Sequence, residues 1–160
     1  MAHKVTMYTD GAASGNPGPG GYGVVLLSGT HRKELQGGYA HTTNNRMELL
    51  AVIEGLSCLK HAGTEVTVFT DSRYVADSVS KGWVFDWEKK RFKKKKNADL
   101  WIQFLKEFRR HKVTFQWIRG HNDNPENEHC DRLAVEASGW KDLPTDEAYL
   151  ASAGEENDPD

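Results

Sequence analysis

The sequence is poor in cysteine and has no long apolar run. Its 160 residues include only two cysteines, Cys58 and Cys130, too few for a disulfide framework or a cysteine zinc site. No stretch approaches the roughly 18 apolar residues of a membrane helix, which argues against a membrane-spanning protein. The first residues, MAHKVTMYTDG, lack the apolar block of a secretion signal. We therefore expect a cytoplasmic protein with two buried, reduced thiols.

The net charge is also low, at −2, but the charges are unevenly distributed. Residues 73–119 contain 14 basic and 5 acidic side chains, whereas residues 120–160 contain 2 basic and 12 acidic ones. A concentrated positive segment predicts a polyanionic partner. The acidic stretch fits a solvated tail, a metal site, or both.

Hydrophobic periodicity predicts one α/β domain over residues 1–150, followed by an acidic, flexible tail over 151–160. Alternating patterns predict an antiparallel meander of strands at residues 4–10, 24–27 and 32–40. Helical and β-branched patterns then predict a helix that ends before Gly63, with an apolar stripe from Leu49 to Leu59, and a strand over 65–70. They also predict helices over 73–81 and 98–110, a strand over 113–118 and a helix from Pro125. This order predicts a mixed sheet with helices on both faces and the 66–69 strand at its centre.

Two aspartates stand at the ends of predicted strands. Asp10 lies in a Thr-Asp-Gly triplet and Asp71 in a Thr-Asp-Ser triplet. Sites in open α/β sheets collect at strand ends, so the two carboxylates could face each other. Taken singly, each fits a local role better, Asp10 in a turn with Gly11 and Asp71 as a helix cap.

Two further carboxylates lie on predicted helices. Glu48 ends an Asn-Arg-Met-Glu segment that is typical of a capping box with Asn45 as the cap. Asp131 follows Cys130, where a solvated aspartate would be ordinary. The four carboxylates could converge only if something offsets their repulsion, and a hard divalent cation such as magnesium is the natural partner.

Five motifs, in order and spacing, closely resemble the signatures of bacterial type 1 ribonuclease H. They are YTDGAASGNPGPGGYG, TTNNRMEL, TDSRYV, NADLW and GHNDNPENEHCDRLA, and the resemblance extends over residues 4–149. It implies the ribonuclease H-like fold, a five-stranded mixed sheet with helices on both faces. It also implies a metal-dependent endonuclease that cleaves the RNA strand of RNA/DNA hybrids and leaves 5′-phosphate and 3′-hydroxyl ends.

The resemblance also implies the catalytic residues. The catalytic, metal-binding carboxylates fall on Asp10, Glu48, Asp71 and Asp131. The implied mechanism uses two ions of Mg²⁺, or Mn²⁺, about 4 Å apart, to activate water and stabilise the leaving 3′ oxygen. His121, in a Gly-flanked loop, would transfer a proton or assist product release. The other six histidines carry no motif and are expected at the surface, and Glu128 fits a helix-start carboxylate better than a transient ligand.

Substrate contacts follow from the same resemblance. Amides of Asn16, Asn44 and Asn45 would contact the RNA strand. A phosphate pocket for the DNA strand falls on Thr43, Asn97 and His41, where His41 replaces a frequent arginine and makes the contact weaker and pH-sensitive.

Two other positions also depart from the family pattern. Ala13 replaces a polar or thiol residue, and Arg73 replaces a frequent glutamine. Arg73 could grip a phosphate or screen the metal site, and the sequence leaves both open. The glycines at 11, 15, 18, 20 and 21 are expected to serve turns rather than to cradle phosphate.

A basic protrusion occupies residues 81–97, with eight Lys or Arg interleaved with four aromatic residues. The cations favour binding to phosphates, while the aromatic rings fit either deoxyribose contacts or an apolar base. The substrate-binding residues expected here are Trp83, Trp87, Lys89, Lys90 and Arg91.

Two other functions fit the same fold: a hybrid-binding module that does not cleave, and a nuclease of DNA junctions or ends. The intact carboxylate set argues against the first, and the TTNNRMEL segment and the protrusion argue against the second. We expect a monomer that acts on RNA/DNA hybrids and does not associate with membranes.

Overall fold

The sheet has five strands and is mixed, as the sequence predicts. In the computed structural model, which describes residues 3–120 and 124–153, the antiparallel meander consists of β1 (Lys4–Ala13), β2 (Gly18–Ser28) and β3 (His31–Thr42). β1 also pairs in parallel with β4 (Glu65–Thr70), which pairs in parallel with β5 (Lys112–Trp117). The order β3-β2-β1-β4-β5 places β1 at the centre. The prediction of β4 as the central strand was therefore wrong, although β4 is paired on both sides.

Within the described residues, six helices accompany the sheet. They are α1 (Asn44–Ser57), α2 (Arg73–Ser80), α3 (Trp83–Lys89), α4 (Ala98–Phe108), α5 (Pro125–Ser138) and α6 (Glu147–Ala153). The sequence did not predict α3, which lies in the basic segment, or α6. Because α6 contains residues 151–153 of the predicted tail and residues 154–160 lie outside the described part, the tail boundary stays a prediction. No described helix has the length and apolar character needed to cross a membrane.

Glycines let α1 and α5 approach the sheet from opposite faces. A Cβ atom on Gly11 would clash with the α1 backbone at Glu48, and one on Gly21 would clash with the carbonyl oxygen of Ala134 in α5. From the sequence, the glycines at 11, 15, 18, 20 and 21 were expected to lie in turns. This was wrong for the four that lie in strands, Gly11, Gly18, Gly20 and Gly21. Only Gly15, with φ of +87°, lies in the turn between β1 and β2.

The residues that cap α1 and α2 differ from those that the sequence suggested. Thr43 caps α1, since its side-chain oxygen accepts a hydrogen bond from Arg46 N at 3.2 Å, and Asn45 lies inside the helix. Ser72, not Asp71, caps α2 by accepting from Val75 N. Glu48 and Asp71 are therefore not explained by capping, whereas Pro125 opens α5 as predicted.

The largest buried side chains, among them Trp101, Phe104 and Met7, form a core between the sheet and the α1 side of the molecule. Cys130 is buried and Cys58 only half-buried at the end of α1, so the prediction of two buried thiols was wrong for Cys58. His111 is also buried, contrary to the expected surface position. Burial and the neighbouring Arg110 charge lower the pKa of this imidazole.

Candidate active site

The parallel register of β1 and β4 brings two aspartates level with each other. Tyr8 is opposite Phe69 in this pairing, and Asp10 and Asp71 each follow two residues later in their chains. Because parallel strands run in the same direction, their carboxyl ends lie at one edge of the sheet. The carboxylates predicted from the two triplets are therefore neighbours.

Glu48 joins them from α1. The close approach of α1 at Gly11 brings Glu48 to β1 beside Asp10. One carboxylate oxygen from each of Asp10, Glu48 and Asp71 lies within 4.8 Å of the others. These residues line an open cleft of about 390 Å³, together with Asn44 and Asn45. The structure thus brings three of the four predicted carboxylates into one cluster.

The cluster is costly to ionise. Asp10 and Glu48 are only 6% and 5% exposed. Burial, followed by the charge of Asp71, raises the pKa of Asp10 to about 8. Burial and the charges of Asp10 and Asp71 raise the pKa of Glu48, and its Oε1 has no hydrogen-bond partner within the described residues. Protons or a bound cation would relieve this repulsion.

Asp131 lies at the border of the cluster. It is half-buried on α5 and does not belong to the group within 4.8 Å. Its negative charge is nevertheless close enough to contribute to the raised pKa of Asp10. The helix is anchored beside β1 because the Cys130 thiol donates a hydrogen bond to the carbonyl oxygen of Tyr8 at 3.2 Å.

Gly120, the last described residue before His121, lies against the cluster. His121 itself lies outside the described residues. The preceding Gly120 lies so near Asp71 that an added Cβ would be 2.6 Å from Asp71 Oδ2. A side chain at position 120 would therefore displace the Asp71 carboxylate or the loop.

Trp117 is a site residue that the sequence reasoning missed. Its indole Nε1 donates to the backbone oxygen of Asp71 at 3.0 Å. The guanidinium carbon of Arg73 lies 3.9 Å from the centroid of the Trp117 ring, a cation–π contact. The available signal was the position of Trp117 at the end of β5, a parallel neighbour of β4. The cation–π contact with Trp117 holds Arg73 at the rim of the cleft.

The predicted RNA-strand residues adjoin the same cleft. Asn16 Oδ1 accepts a hydrogen bond from Asn44 N at 2.9 Å, which links the β1–β2 turn to the start of α1. Of the predicted DNA-strand residues, Thr43 is buried at the α1 cap, Asn97 is half-buried before α4, and His41 is exposed at the end of β3.

The basic protrusion has an aromatic base. Phe92 is buried, and Trp87 packs edge-on against Trp101 with ring centroids 5.8 Å apart. Trp83 remains 43% exposed. Lysines contact both tryptophans, Lys81 over Trp83 and Lys95 over Trp87, beside a cavity of about 250 Å³. The predicted contacts at Lys89, Lys90 and Arg91 are exposed on this protrusion.

Comparisons with known proteins agree with this geometry. The family model described as RNase H matches residues 2–139. The Ribonuclease H of Syntrophus aciditrophicus is 54% identical over 151 residues, which cover 91% of this chain and 87% of the relative.

Two solved structures are also similar to this chain. LC9-RNase H1, described as a type 1 RNase H with the type 2 active-site motif, has a TM-score of 0.80 at 29% identity, covering 95% of this chain and 82% of that one. LC11-RNase H1 in complex with an RNA/DNA hybrid has a TM-score of 0.63 at 28% identity, covering 83% and 95%. With its five-stranded mixed sheet and its acidic cleft, the chain belongs to the RNase H family of endonucleases.

Proposed function

We propose that this protein hydrolyses the RNA strand of RNA/DNA hybrids with the help of divalent metal ions, leaving 5′-phosphate and 3′-hydroxyl ends. The observation that carries the proposal is the cluster of Asp10, Glu48 and Asp71 at one edge of an RNase H sheet. The relative LC11-RNase H1, described in complex with an RNA/DNA hybrid, supports the substrate class.

The cluster suits hard divalent cations, and we assign it to two ions of Mg²⁺, with Mn²⁺ as a substitute. All its donors are carboxylate oxygens, which these ions prefer, and Glu48 Oε1 is buried without a hydrogen-bond partner in the described part of the chain. Asp131 would complete the ligand set from α5. Bound ions would lower the pKa of the attacking water and offset negative charge on the phosphate and the leaving oxygen.

The protein's own groups would orient the substrate around this centre. We assign RNA-strand contacts to Asn16, Asn44 and Asn45, whose amides can bind 2′-hydroxyl groups. Arg73, held over Trp117, would grip a phosphate at the rim. His121 would give a proton to the leaving 3′ oxygen, since an imidazole titrates near neutral pH.

The DNA strand would lie along a second surface. We assign one of its phosphates to a pocket formed by His41, Thr43 and Asn97, and further phosphates to the basic protrusion, including Lys89, Lys90 and Arg91. The exposed face of Trp83 and the partly exposed Trp87 would contact deoxyribose. The protein would act as a cytoplasmic monomer.

A cleavage assay on matched nucleic acids tests the proposal. End-labelled RNA of one sequence is offered as an RNA/DNA hybrid and as duplex RNA, beside duplex DNA, with Mg²⁺, with Mn²⁺ and with EDTA. We expect cleavage of the hybrid RNA alone, in the presence of either ion, to fragments with 5′-phosphate ends. Intact hybrid RNA with Mg²⁺ would identify a binding module, and preferential cleavage of DNA would identify a different nuclease.

A further inference from the structure

Arg46 is a charged side chain buried beneath the proposed DNA-strand pocket. Its side chain is 3% exposed. It donates two hydrogen bonds to Asp146, at 2.8 and 3.0 Å, and two to Asp99, at 2.9 and 2.8 Å. Paired bonds of this kind fix a planar guanidinium in one orientation. Asp146 lies beyond residues 2–139, which the family model matches.

The segment around Asp146 packs along the end of β3, where His41 and Thr43 lie. Ala40 N donates to the carbonyl oxygen of Pro144 at 2.8 Å, and the Thr42 hydroxyl donates to Asp146 Oδ2 at 2.7 Å. Residues 144–149 are thus tied to the strand on both sides of position 41.

Tyr149 extends this contact to the pocket itself. Its ring centroid lies 5.8 Å from that of His41 and 5.9 Å from the guanidinium carbon of Arg46. The backbone N–H of Tyr149 donates to Asp146 Oδ1 at 3.2 Å. The position of the Tyr149 ring therefore depends on the same carboxylate that holds Arg46.

Arg46 in turn orients Asn97. Arg46 Nη1 donates to Asn97 Oδ1 at 3.3 Å, and a guanidinium can only donate, so the amide oxygen must face Arg46. The amide nitrogen then points away and donates one N–H to the Tyr74 hydroxyl at 3.0 Å. Its second N–H is the donor suited to a phosphate oxygen.

The backbone at the start of α1 orients Thr43. Thr43 Oγ1 accepts from the backbone nitrogen of Arg46, which leaves the hydroxyl proton able to donate to a phosphate. The Arg46 side chain therefore contacts one proposed pocket residue, Asn97, and its backbone N–H contacts a second, Thr43.

We propose that residues 144–149 form a positioning element for the DNA-strand phosphate pocket, with Asp146 as its central residue. Asp146 holds the Arg46 guanidinium, the guanidinium aims the donor of Asn97, and Tyr149 places His41. This inference rests on the proposed function, because it needs a DNA phosphate in that pocket. Asp146 acts through other residues and does not touch the substrate.

The test combines Asp146→Asn with hybrids whose DNA strand carries one neutral methylphosphonate, placed in turn at each position. In the unchanged protein, neutralising the phosphate that occupies the pocket should raise KM about tenfold. In Asp146→Asn, we expect KM for the unmodified hybrid to rise by a similar factor at nearly unchanged kcat. The same methylphosphonate should then add almost nothing, because the contact is already lost.

Val66→Ala is the matched control. Val66 is a core residue near the start of β4, at the opposite end of that strand from Asp71, so its truncation lowers stability without touching the pocket. This variant should keep the full methylphosphonate penalty. Thr42→Val, which removes only one hydrogen bond to Asp146, gives the same comparison in a milder form if Asp146→Asn does not fold.

Three outcomes would overturn the inference. The first is an unchanged KM in both Asp146→Asn and Thr42→Val, and the second is a methylphosphonate penalty that stays additive in them. The third is a scan in which no position affects the unchanged protein. That third result would show that no DNA phosphate binds in the pocket, whereas failure of the proposed function would appear as uncleaved hybrid.

Discussion

The Asp10 carboxyl group holds a proton at pH values where an exposed aspartate would be ionised. Burial and the charge of Asp71 raise its pKa to about 8 in the folded protein, from a usual value of 3.8. Between these values the folded state binds more protons than the unfolded state. The stability contributed by this group therefore falls as pH rises through that interval.

Replacing Asp10 by Asn should abolish cleavage while stabilising the metal-free protein. The amide removes the charge that Asp71 and Glu48 repel, so we expect the free energy of unfolding at pH 8 to rise by about 2 kcal/mol, with a smaller gain at pH 5. Urea unfolding in EDTA at both pH values and turnover of labelled hybrid check this. Asp142→Asn, at an exposed position, should change neither quantity. Near-normal turnover in Asp10→Asn would show that Asp10 is not a metal ligand.

Individual residues differ in how far the sequence could predict them. The Asp10–Asp71 pair was predictable because each residue was expected at the end of a strand of recognisable pattern, and parallel strand ends meet, although β1 continues past Asp10 to Ala13. Arg46 was not, since Asp99 and Asp146 lie 53 and 100 residues further along the chain. His111 was misplaced at the surface because no local pattern shows that the turn after α4 is buried.

The close contact between β1 and α1 is possible because position 11 is a glycine and has no side chain. At Gly11, a Cβ would meet the backbone of Met47 and Glu48, which cannot rotate away as a flexible side chain could. Gly11→Ala must therefore push α1 outward and draw Glu48 from Asp10.

We expect Gly11→Ala to lower the free energy of unfolding by about 2 kcal/mol and kcat by roughly 100-fold. Urea unfolding, calorimetric titration with Mg²⁺ and steady-state kinetics measure the three effects, and metal affinity should fall with kcat. Gly139→Ala is the control and should leave all three unchanged, because Gly139 has an ordinary backbone angle and an added Cβ would lie 3.6 Å from the carbonyl oxygen of Glu136. An Mg²⁺ affinity in Gly11→Ala equal to that of the unchanged protein would show that Glu48 is not a metal ligand.

The lysines at positions 93–96 follow α3 and are exposed. Replacing all four by serine should weaken hybrid binding and flatten its dependence on salt, while kcat at saturating hybrid stays the same. If all four contact phosphates, the slope of log affinity against log salt should fall by about 3 to 4. Binding measured across a salt series in EDTA provides the slope.

The control for these lysines removes the same charge elsewhere. Lys4, Lys33, Lys60 and Lys112 are also exposed, and Lys4 and Lys112 begin β1 and β5, at the strand ends opposite Asp10 and Asp71. Serine at these four positions should change the slope much less. Equal slopes in the two quadruple variants would assign the effect to net charge alone.

The two helices that the sequence did not predict, α3 and α6, were missed for different reasons. In α3, the charges of the basic segment masked a helical spacing of Val84 and Trp87. The burial of Val84 in the core and the packing of Trp87 on Trp101 of α4 become clear only in three dimensions. In α6, seven residues are too few to form a stable helix alone. Its first turn is held by Asp146, which in turn is held by Arg46.

Over the whole molecule, the order of elements other than α3 and α6 was predictable, and the order of strands in the sheet was not. Local patterns give βββ-α-β-α-α-β-α but do not say which strand β4 joins. Pairing of β4 with β1 makes β1 central, and this pairing creates the carboxylate edge. The central position of β1 and the active cleft therefore arise from the same long-range contact, which the family motifs indicate only by resemblance.

If the cleft binds metal as proposed, metal binding is coupled to the stability of the entire fold. Metal ions would bind the ionised carboxylates and so compete with the protons that the raised pKa values of Asp10 and Glu48 retain. At pH 8 the metal-free fold bears the most carboxylate repulsion, and Mg²⁺ offsets it.

At a concentration near 100 times Kd, we expect Mg²⁺ to raise Tm by about 5–10 °C at pH 8, and by less than half as much at pH 6. Thermal unfolding with KCl of equal ionic strength as the reference measures this difference. Because Asp10→Asn has lost the central charge, its Mg²⁺ increment should be small at both pH values. Equal increments at pH 6 and pH 8 in the unchanged protein would place the stabilising ion away from these carboxylates.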